Sequence, residues 1–333
     1  MKYLFIGDYN SNTGPANVNK NLKSYLKTDF KFIHKKSLFL KEIETVYKII
    51  TSQKICMSGY SKSFFFYAIL AKILNKKTVI LVHGSATYEN KINEVDNKWD
   101  SIFEKKIFEN VNKILCVSEN YMLWFKKEYP LLKTKTSYLN NGIEWDKLPL
   151  ETSLKRKEKN DLYFTIVTMG GGKPQKKNLQ LCKAVEIYNW HNSKKIKLIV
   201  LGSFGSDLDK ISDYYFVECP GQVSHEEAYR YLKSADLFVQ NSILESFNLA
   251  TVEALISGCS ILISKNVGAI SILNGIQNQD IIFDNDDLEE LTEKIKINLN
   301  SSNNERILNS IDRNSTSYKF ASTRLIKIIE EVS

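Results

Sequence analysis

The fold of this chain can be inferred best from one stretch, Gln240-Asn-Ser-Ile-Leu-Glu-Ser-Phe-Asn-Leu-Ala-Thr-Val-Glu-Ala-Leu-Ile-Ser-Gly258. It begins at the end of an apolar run typical of a strand, continues through a polar loop that carries Glu245, and turns helical near Asn248, a plausible N-cap. Backbone N–H groups at residues 247–250 have no partner inside such a helix. The helix start is therefore predicted to hold a diphosphate.

Two carboxylates flank this helix start. Glu245 precedes the helix and Glu253 lies inside it, so the two can face different parts of one ligand. A carboxylate that accepts two hydroxyl protons is a common way to hold the diol of a ribose or hexose. One surface glutamate and one helix salt bridge would give the same spacing, and the spacing alone leaves both readings open.

Strand and helix patterns alternate on both sides of this stretch. In the second half, strands are predicted at residues 162–168, 196–201, 215–219, 237–240 and 260–264. Helices are predicted there at 179–190, 226–234 and 249–257, with a helical stretch from 286 nearly to the end.

The first half repeats the alternation. Strands are predicted at 2–6, 30–34, 54–58, 78–82, 113–117 and 135–139, and helices at 17–26, 40–51, 63–74, 99–109 and 121–128. Residues 151–161 are almost wholly polar and are interpreted as an interdomain linker. The pattern predicts an α/β protein of two doubly wound domains with a cleft between them, and ligands at the carboxyl ends of the strands.

A loop rich in glycine and lysine, Thr168-Met-Gly-Gly-Gly-Lys-Pro-Gln-Lys-Lys-Asn178, follows the first strand of the second half. Gly170 and Gly171 would let the backbone approach a ligand closely, and lysines at 173, 176 and 177 offer cations beside it. The spacing fits neither the P-loop nor the dinucleotide fingerprint. A tight turn followed by solvated lysines is the alternative, and the three lysines cannot be ranked from sequence.

Two residues of the first half occupy positions where ligands bind in such folds. Gly14, followed by Pro15, opens a helix after the polar loop of residues 7–14. His83 directly follows the predicted strand at 78–82, where a binding group is expected, although a lone histidine there is as often structural.

The charge, the cysteines and the apolar stretches of the chain bear on its partners and its cellular location. The net charge of +8 resides in residues 1–150, which carry 24 Lys and Arg against 14 Asp and Glu, a net of +10. A solvated lysine-rich surface and a face that meets anionic lipid or a polyanionic acceptor are both consistent with this excess. The dispersed lysines without a recognition motif argue against nucleic acid. Five scattered cysteines fit reduced thiols in a cytoplasmic protein. The longest apolar stretch, 63–74, is shorter than the roughly 20 residues of a membrane span.

Taken in order, these motifs resemble the retaining glycosyltransferases of family four over nearly the whole chain. The hallmark of that family, two glutamates separated by seven residues, matches Glu245 and Glu253. Further matches are Val117-Ser-Glu119, Asn141-Gly-Ile143, Gly170 with Lys177-Asn178, Gly202, Gly221-Gln-Val223, Ala235-Asp236 and Gly258. The resemblance implies the GT-B fold, two Rossmann-like domains facing each other across a cleft.

The implied domains are residues 1–150 with a returning helix at about 315–333 for the acceptor, and 151–314 for the nucleotide-sugar donor. Glu245 would bind donor sugar hydroxyls, Glu253 the nucleotide ribose, and His83 would line the sugar pocket. The remaining implied donor contacts are Gly14, Gly170, Gly171, Lys173, Lys177, Ser246, Phe247, Asn248 and Leu249. The family often has arginine where Gly171 stands, and Lys173 is expected to replace its charge.

The implied reaction transfers a hexose-type sugar from a UDP-sugar to a glycan or lipid-linked acceptor in cell-surface polysaccharide synthesis. The departing phosphate oxygen would take the acceptor's proton, so neither a protein general base nor a cofactor is expected. With no Asp-x-Asp motif at a strand end, no essential metal is expected either. Two alternatives are a nucleotide-sugar epimerase or hydrolase on the same fold, and a non-catalytic subunit that binds a glycosylated protein.

Overall fold

The computed structural model describes residues 2–11, 13–35, 37–145 and 162–332, and the linker predicted at 151–161 lies outside these ranges. The chain divides into two compact units, Met1–Trp145 with Arg313–Ser333, and Asp146–Asp312. The sequence placed the corresponding boundaries at 150/151 and at about 315. Each unit is described below by itself.

The first unit is a six-stranded parallel sheet covered by helices, in the strand order β2-β1-β3-β4-β5-β6. Its elements are β1 (Tyr3–Ile6), α1 (Gly14–Leu26), β2 (Phe30–Phe32), α2 (Leu38–Ile50), β3 (Lys54–Ser58), α3 (Ser63–Ile73), β4 (Lys77–Val82), α4 (Ala86–Ile92), α5 (Lys98–Asn110), β5 (Lys113–Cys116), α6 (Glu119–Glu128) and β6 (Thr136–Tyr138). The strands are buried apolar runs, as expected for a sheet covered on both faces.

The second unit repeats this plan with the order β12-β11-β10-β7-β8-β9, again all parallel. Its elements are β7 (Tyr163–Met169), α7 (Asn178–His191), β8 (Lys195–Leu201), α8 (Leu208–Ser212), β9 (Val217–Gly221), α9 (His225–Ser234), β10 (Leu237–Gln240), α10 (Leu249–Ile256), β11 (Ser260–Ser264), β12 (Ile281–Ile282), α11 (Leu288–Asn300) and α12 (Asn304–Ser310). The predicted α/β class with parallel sheets is confirmed.

The last helix, α13 (Tyr318–Glu331), packs against the first unit. The Lys54 ammonium donates to the carbonyl oxygens of Ile329 at 3.0 Å and Glu330 at 2.9 Å, and the Tyr3 hydroxyl donates to the Glu330 carboxylate at 3.3 Å. These bonds join the end of the chain to β1 and β3.

The region predicted as helical from residue 286 nearly to the end consists of three separate helices, α11, α12 and α13, and α13 is the returning helix expected at about 315–333. Asn303 explains the first break: its side chain accepts a hydrogen bond from the Ile261 amide at 2.9 Å and donates to the Ile261 carbonyl at 2.8 Å. An asparagine that pairs with a strand backbone anchors the chain between two helices. The sequence also missed α4, α8 and β12.

Candidate functional site

The start of α10 has the geometry of an anion-binding helix end. Asn248 is its N-cap, in the left-handed region at φ 74°, and its side chain accepts from the Thr251 amide at 3.0 Å and the Thr251 hydroxyl at 3.1 Å. Within the described part of the chain, no group accepts a hydrogen bond from the backbone N–H of residues 247–250. The predicted cap is confirmed, and these amides are available to a ligand.

Glu245 is held firmly in the loop before α10. Its carboxylate oxygen Oε1 accepts from the Lys176 ammonium and from the Ser242 hydroxyl at 2.9 Å. The Glu245 amide donates to the Asn266 carbonyl at 3.2 Å, and the Glu245 carbonyl accepts from the Gly268 amide at 3.0 Å. The other carboxylate oxygen, Oε2, has no hydrogen-bond partner among the described residues, so it can accept a ligand hydroxyl.

The structure separates the three lysines that the sequence could not rank. Lys176 forms the ion pair with Glu245, and their side chains are only 18% and 13% exposed. Lys177 has φ 52° and donates to the Asp286 carboxylate at 2.7 Å, which lowers the pKa of Asp286. Lys173 is exposed. Lys176 is therefore the lysine beside Glu245, whereas Lys177 would have to leave Asp286 to reach a ligand.

The glycine loop is explained by packing within the protein. The amides of Gly170 and Gly171 both donate to the Leu201 carbonyl, at 2.8 and 3.0 Å. A Cβ added at Gly171 would lie 2.9 Å from the Gly202 backbone, and one added at Gly205 would lie 2.0 Å from the Gly172 backbone. These glycines allow the loops after β7 and β8 to touch, and the first two do not offer free amides to a phosphate.

Glu253 has a partner that the sequence reasoning missed. Nε2 of His225, at the start of α9, lies 3.0 Å from Oε1 of Glu253, and this hydrogen bond raises the pKa of His225. The Glu253 side chain is 25% exposed and that of His225 is 68% exposed. The only sequence signal for His225 was its position shortly after a predicted strand.

His83 belongs to a hydrogen-bonded chain at the carboxyl edge of the first sheet. Its Nε2 lies 2.9 Å from the Ser58 hydroxyl, which donates to Oδ1 of Asn19 at 2.5 Å. Asn19 in turn donates to the Asp8 carbonyl at 3.0 Å. Because the one hydroxyl proton of Ser58 goes to Asn19, His83 must donate through Nε2. Burial lowers the pKa of His83 to about 4, so the ring is neutral at pH 7.

Gly14 begins α1 as predicted, with Thr13 as N-cap. Nothing lies within 4 Å of a Cβ added at Gly14, and its φ is not in the left-handed region. Unlike the loop glycines of the second unit, Gly14 could be replaced by alanine without a clash with any described residue.

Residues 2–11, 13–35, 37–145 and 162–332 contain no cluster of three or more His, Cys, Asp or Glu side chains that could hold a metal. None of these residues belongs to a helix with the length and apolar character needed to cross a membrane.

One family model matches part of the chain. Residues 151–314 match the family model for glycosyl transferases group 1. A comparison with curated protein sequences found no match.

Solved structures resemble the whole chain. HepE from Anabaena in complex with UDP and glucose is 13% identical, with 99% of both chains covered and a TM-score of 0.71. Sucrose-phosphate synthase from Thermosynechococcus elongatus is 14% identical over 99% of both chains, with a TM-score of 0.73. An E. coli trehalose-6-phosphate protein bound with UDP-2-fluoro glucose is 9% identical over 100% of both chains, with a TM-score of 0.69. The chain thus has the GT-B fold, and its residues 151–314 match a glycosyl transferases group 1 domain.

Proposed function

We propose that the protein is a retaining glycosyltransferase that moves a hexose-type sugar from a UDP-sugar to a glycan or lipid-linked acceptor. The observation that carries the proposal is the start of α10. Among the described residues, neither the N–H groups of residues 247–250 nor Oε2 of the neighbouring Glu245 has a hydrogen-bond partner. This combination suits a ligand with a diphosphate next to a sugar. HepE, with a similar fold, has been crystallised with UDP and with UDP-glucose, which favours the same base for the donor.

Different residues would bind different parts of the donor. The amides of residues 247–249 hold the diphosphate, Glu245 accepts protons from sugar hydroxyls through Oε2, and Glu253 accepts from the ribose. Lys176 is tied to Glu245 and supplies positive charge beside the leaving group. Lys173, which is exposed, and Lys177, once released from Asp286, can add to that charge.

The positive charge at this site would stabilise the leaving group of the transfer reaction. Negative charge grows on the terminal phosphate as the sugar leaves, and oriented amides with a lysine stabilise it without reorganising. The acceptor hydroxyl forms its bond to the anomeric carbon on the same face from which the diphosphate departs, so the sugar keeps its anomeric configuration. The departing phosphate oxygen takes the acceptor's proton, and no protein base is required. His83 is neutral and would line the sugar pocket as a hydrogen-bonding group. We propose that the reaction needs neither a cofactor nor a metal.

We further propose that the enzyme is cytoplasmic, meets the anionic inner face of the cell membrane and serves cell-surface polysaccharide synthesis. Besides the net charge of residues 1–150, an apolar surface on α2 favours membrane contact. Leu38, Phe39, Ile43 and Tyr47 are more than half exposed there, and large exposed apolar patches commonly mark interaction surfaces.

The test is turnover of UDP-glucose, UDP-galactose and UDP-N-acetylglucosamine, measured as release of UDP and as the anomeric configuration of the product. Glu245→Gln should lower kcat/KM at least 100-fold, equivalent to about 2.7 kcal/mol of transition-state stabilisation. Glu305→Gln, an exposed change on α12 of the same unit, should have no effect. Undiminished transfer by Glu245→Gln would contradict the proposal.

Further outcomes separate the alternatives. Conversion of the donor to an epimer or to free sugar without acceptor would identify an epimerase or hydrolase. UDP binding without turnover of any donor would identify a non-catalytic subunit. Loss of turnover on chelation, restored by manganese, would contradict metal independence.

A further inference from the structure

The first unit contains a second polar feature, a cavity of about 390 Å³ at the carboxyl edge of its sheet. Its walls come from the loops after β1 and β2 and from α1 and α2. The charged residues that line it are Asp8, Lys23, Lys35 and Lys41. Nothing in the proposed donor chemistry uses this cavity.

The cavity carries excess positive charge. Among the described residues, no carboxylate forms an ion pair with Lys23, Lys35 or Lys41, and the Lys23 ammonium lies 4.7 Å from the centre of the Tyr9 ring. The Asp8 carboxylate is already engaged, because it accepts from the Asn10 amide at 2.9 Å and from the Ser11 amide and hydroxyl. Three cations and one occupied carboxylate leave a net charge of +2, which favours an anion.

The backbone that presents Lys35 is fixed in place. Oε2 of Glu44, on α2, accepts from the amides of His34 at 2.9 Å and Lys35 at 2.8 Å, while Oε1 pairs with Lys48 at 2.6 Å. The first turn of α2 contains no acidic residue, and the Ser37 side chain does not cap it. The positive end of that helix therefore adds to the charge beside the cavity.

The cavity lies on the same sheet edge as His83. The Asp8 carbonyl accepts from Asn19, which leads through Ser58 to His83. In the sheet order, β3 separates β1 from β4, so the loops after β1 and β4 are two strand spacings apart, roughly 10 Å. One elongated ligand can reach both places.

We propose that this cavity binds a phosphate group of the acceptor, while the hydroxyl that receives the sugar lies nearer to His83. The inference rests on the proposed function, since it names the class of acceptor. Lysine ammonium groups suit phosphate as point charges with several donors each. The phosphate belongs either to a soluble sugar phosphate or to a lipid head group, which share this chemistry.

The probe is inorganic phosphate, titrated by calorimetry in saturating UDP at constant ionic strength. The wild-type protein should bind phosphate, and Lys35→Gln/Lys41→Gln should bind it at least tenfold more weakly. Lys91→Gln/Lys127→Gln removes two exposed lysines elsewhere in the same unit and should behave as wild type. Failure of the wild-type protein to bind phosphate, or equal affinity in the cavity variant, would overturn the proposal.

Two further arms identify the source of the phosphate. Competition by glucose 6-phosphate indicates a soluble acceptor. Sedimentation with phosphatidylglycerol vesicles, weakened by Lys35→Gln/Lys41→Gln and absent with phosphatidylcholine, indicates a lipid head group. UDP binding is measured separately on the same proteins, so that its absence with intact phosphate binding would contradict the proposed function and leave the cavity assignment standing.

Discussion

Replacing Lys176 by Met should destabilise the second unit, because it leaves the Glu245 carboxylate without its cation. The two side chains are 18% and 13% exposed, so water can replace the lysine only in part. The Ser242 hydroxyl, 2.9 Å from Oε1, is the strongest contact left to the carboxylate.

The magnitude follows from the burial of the pair. Unit charges about 4 Å apart attract by about 4 kcal/mol at an effective dielectric constant of about 20, and desolvation of both groups offsets much of that. We expect Lys176→Met to lower the free energy of unfolding by about 2 kcal/mol and Glu245→Gln by about 1 kcal/mol. Their combination should cost less than the sum, with a coupling energy of about 1–2 kcal/mol.

Hydrogen exchange of β10 and α10 peptides in increasing urea is the suitable assay, since it reports the second unit alone. Lys177→Met is the matched control, because its partner Asp286 is 54% exposed and an exposed pair contributes little. The control should change stability by less than about 0.5 kcal/mol. Equal effects of Lys176→Met and Lys177→Met, or a coupling energy near zero, would refute the reasoning.

Two other predictions concern packing and pH. Gly205→Ala should destabilise the second unit by about 2–4 kcal/mol, because its Cβ would lie 2.0 Å from the Gly172 backbone at φ 120°, whereas Gly14→Ala should leave thermal melting nearly unchanged. A melting temperature of Gly205→Ala within a degree of wild type would be inconsistent with this packing. The pKa of His83, about 4, lies below the roughly 6.5 of an unfolded histidine, so the unfolded state binds more protons between these values. Stability of the first unit should fall as pH falls from about 6.5 towards 4, and His83→Gln should remove that slope. An NMR titration placing the pKa of His83 near 6.5 would count against the assignment.

The parts of the fold that the sequence predicted have strong local signals. Buried parallel strands produce apolar runs that alternate with helical periodicity, and both sheets followed from this pattern. Asn248 was predictable as a cap because a short polar side chain preceded an apolar helical run. Glu245 and Glu253 could be selected as site residues because they flank that helix start.

The partners of those glutamates depend on contacts between distant segments. Lys176 precedes Glu245 by 69 residues and Lys177 precedes Asp286 by 109 residues, so neither pairing leaves a local signal in the sequence. His225 meets Glu253 because α9 and α10 pack together. The loop glycines suggested a phosphate cradle, but contact between the loops after β7 and β8 requires them instead.

The most direct test of the account is hydrogen exchange at the amides of residues 247–250 with saturating UDP, compared with saturating uridine. If these amides donate hydrogen bonds to the diphosphate, UDP should slow their exchange at least tenfold and uridine should not. Unchanged exchange at these amides, in a protein that binds UDP by calorimetry, would contradict the central claim.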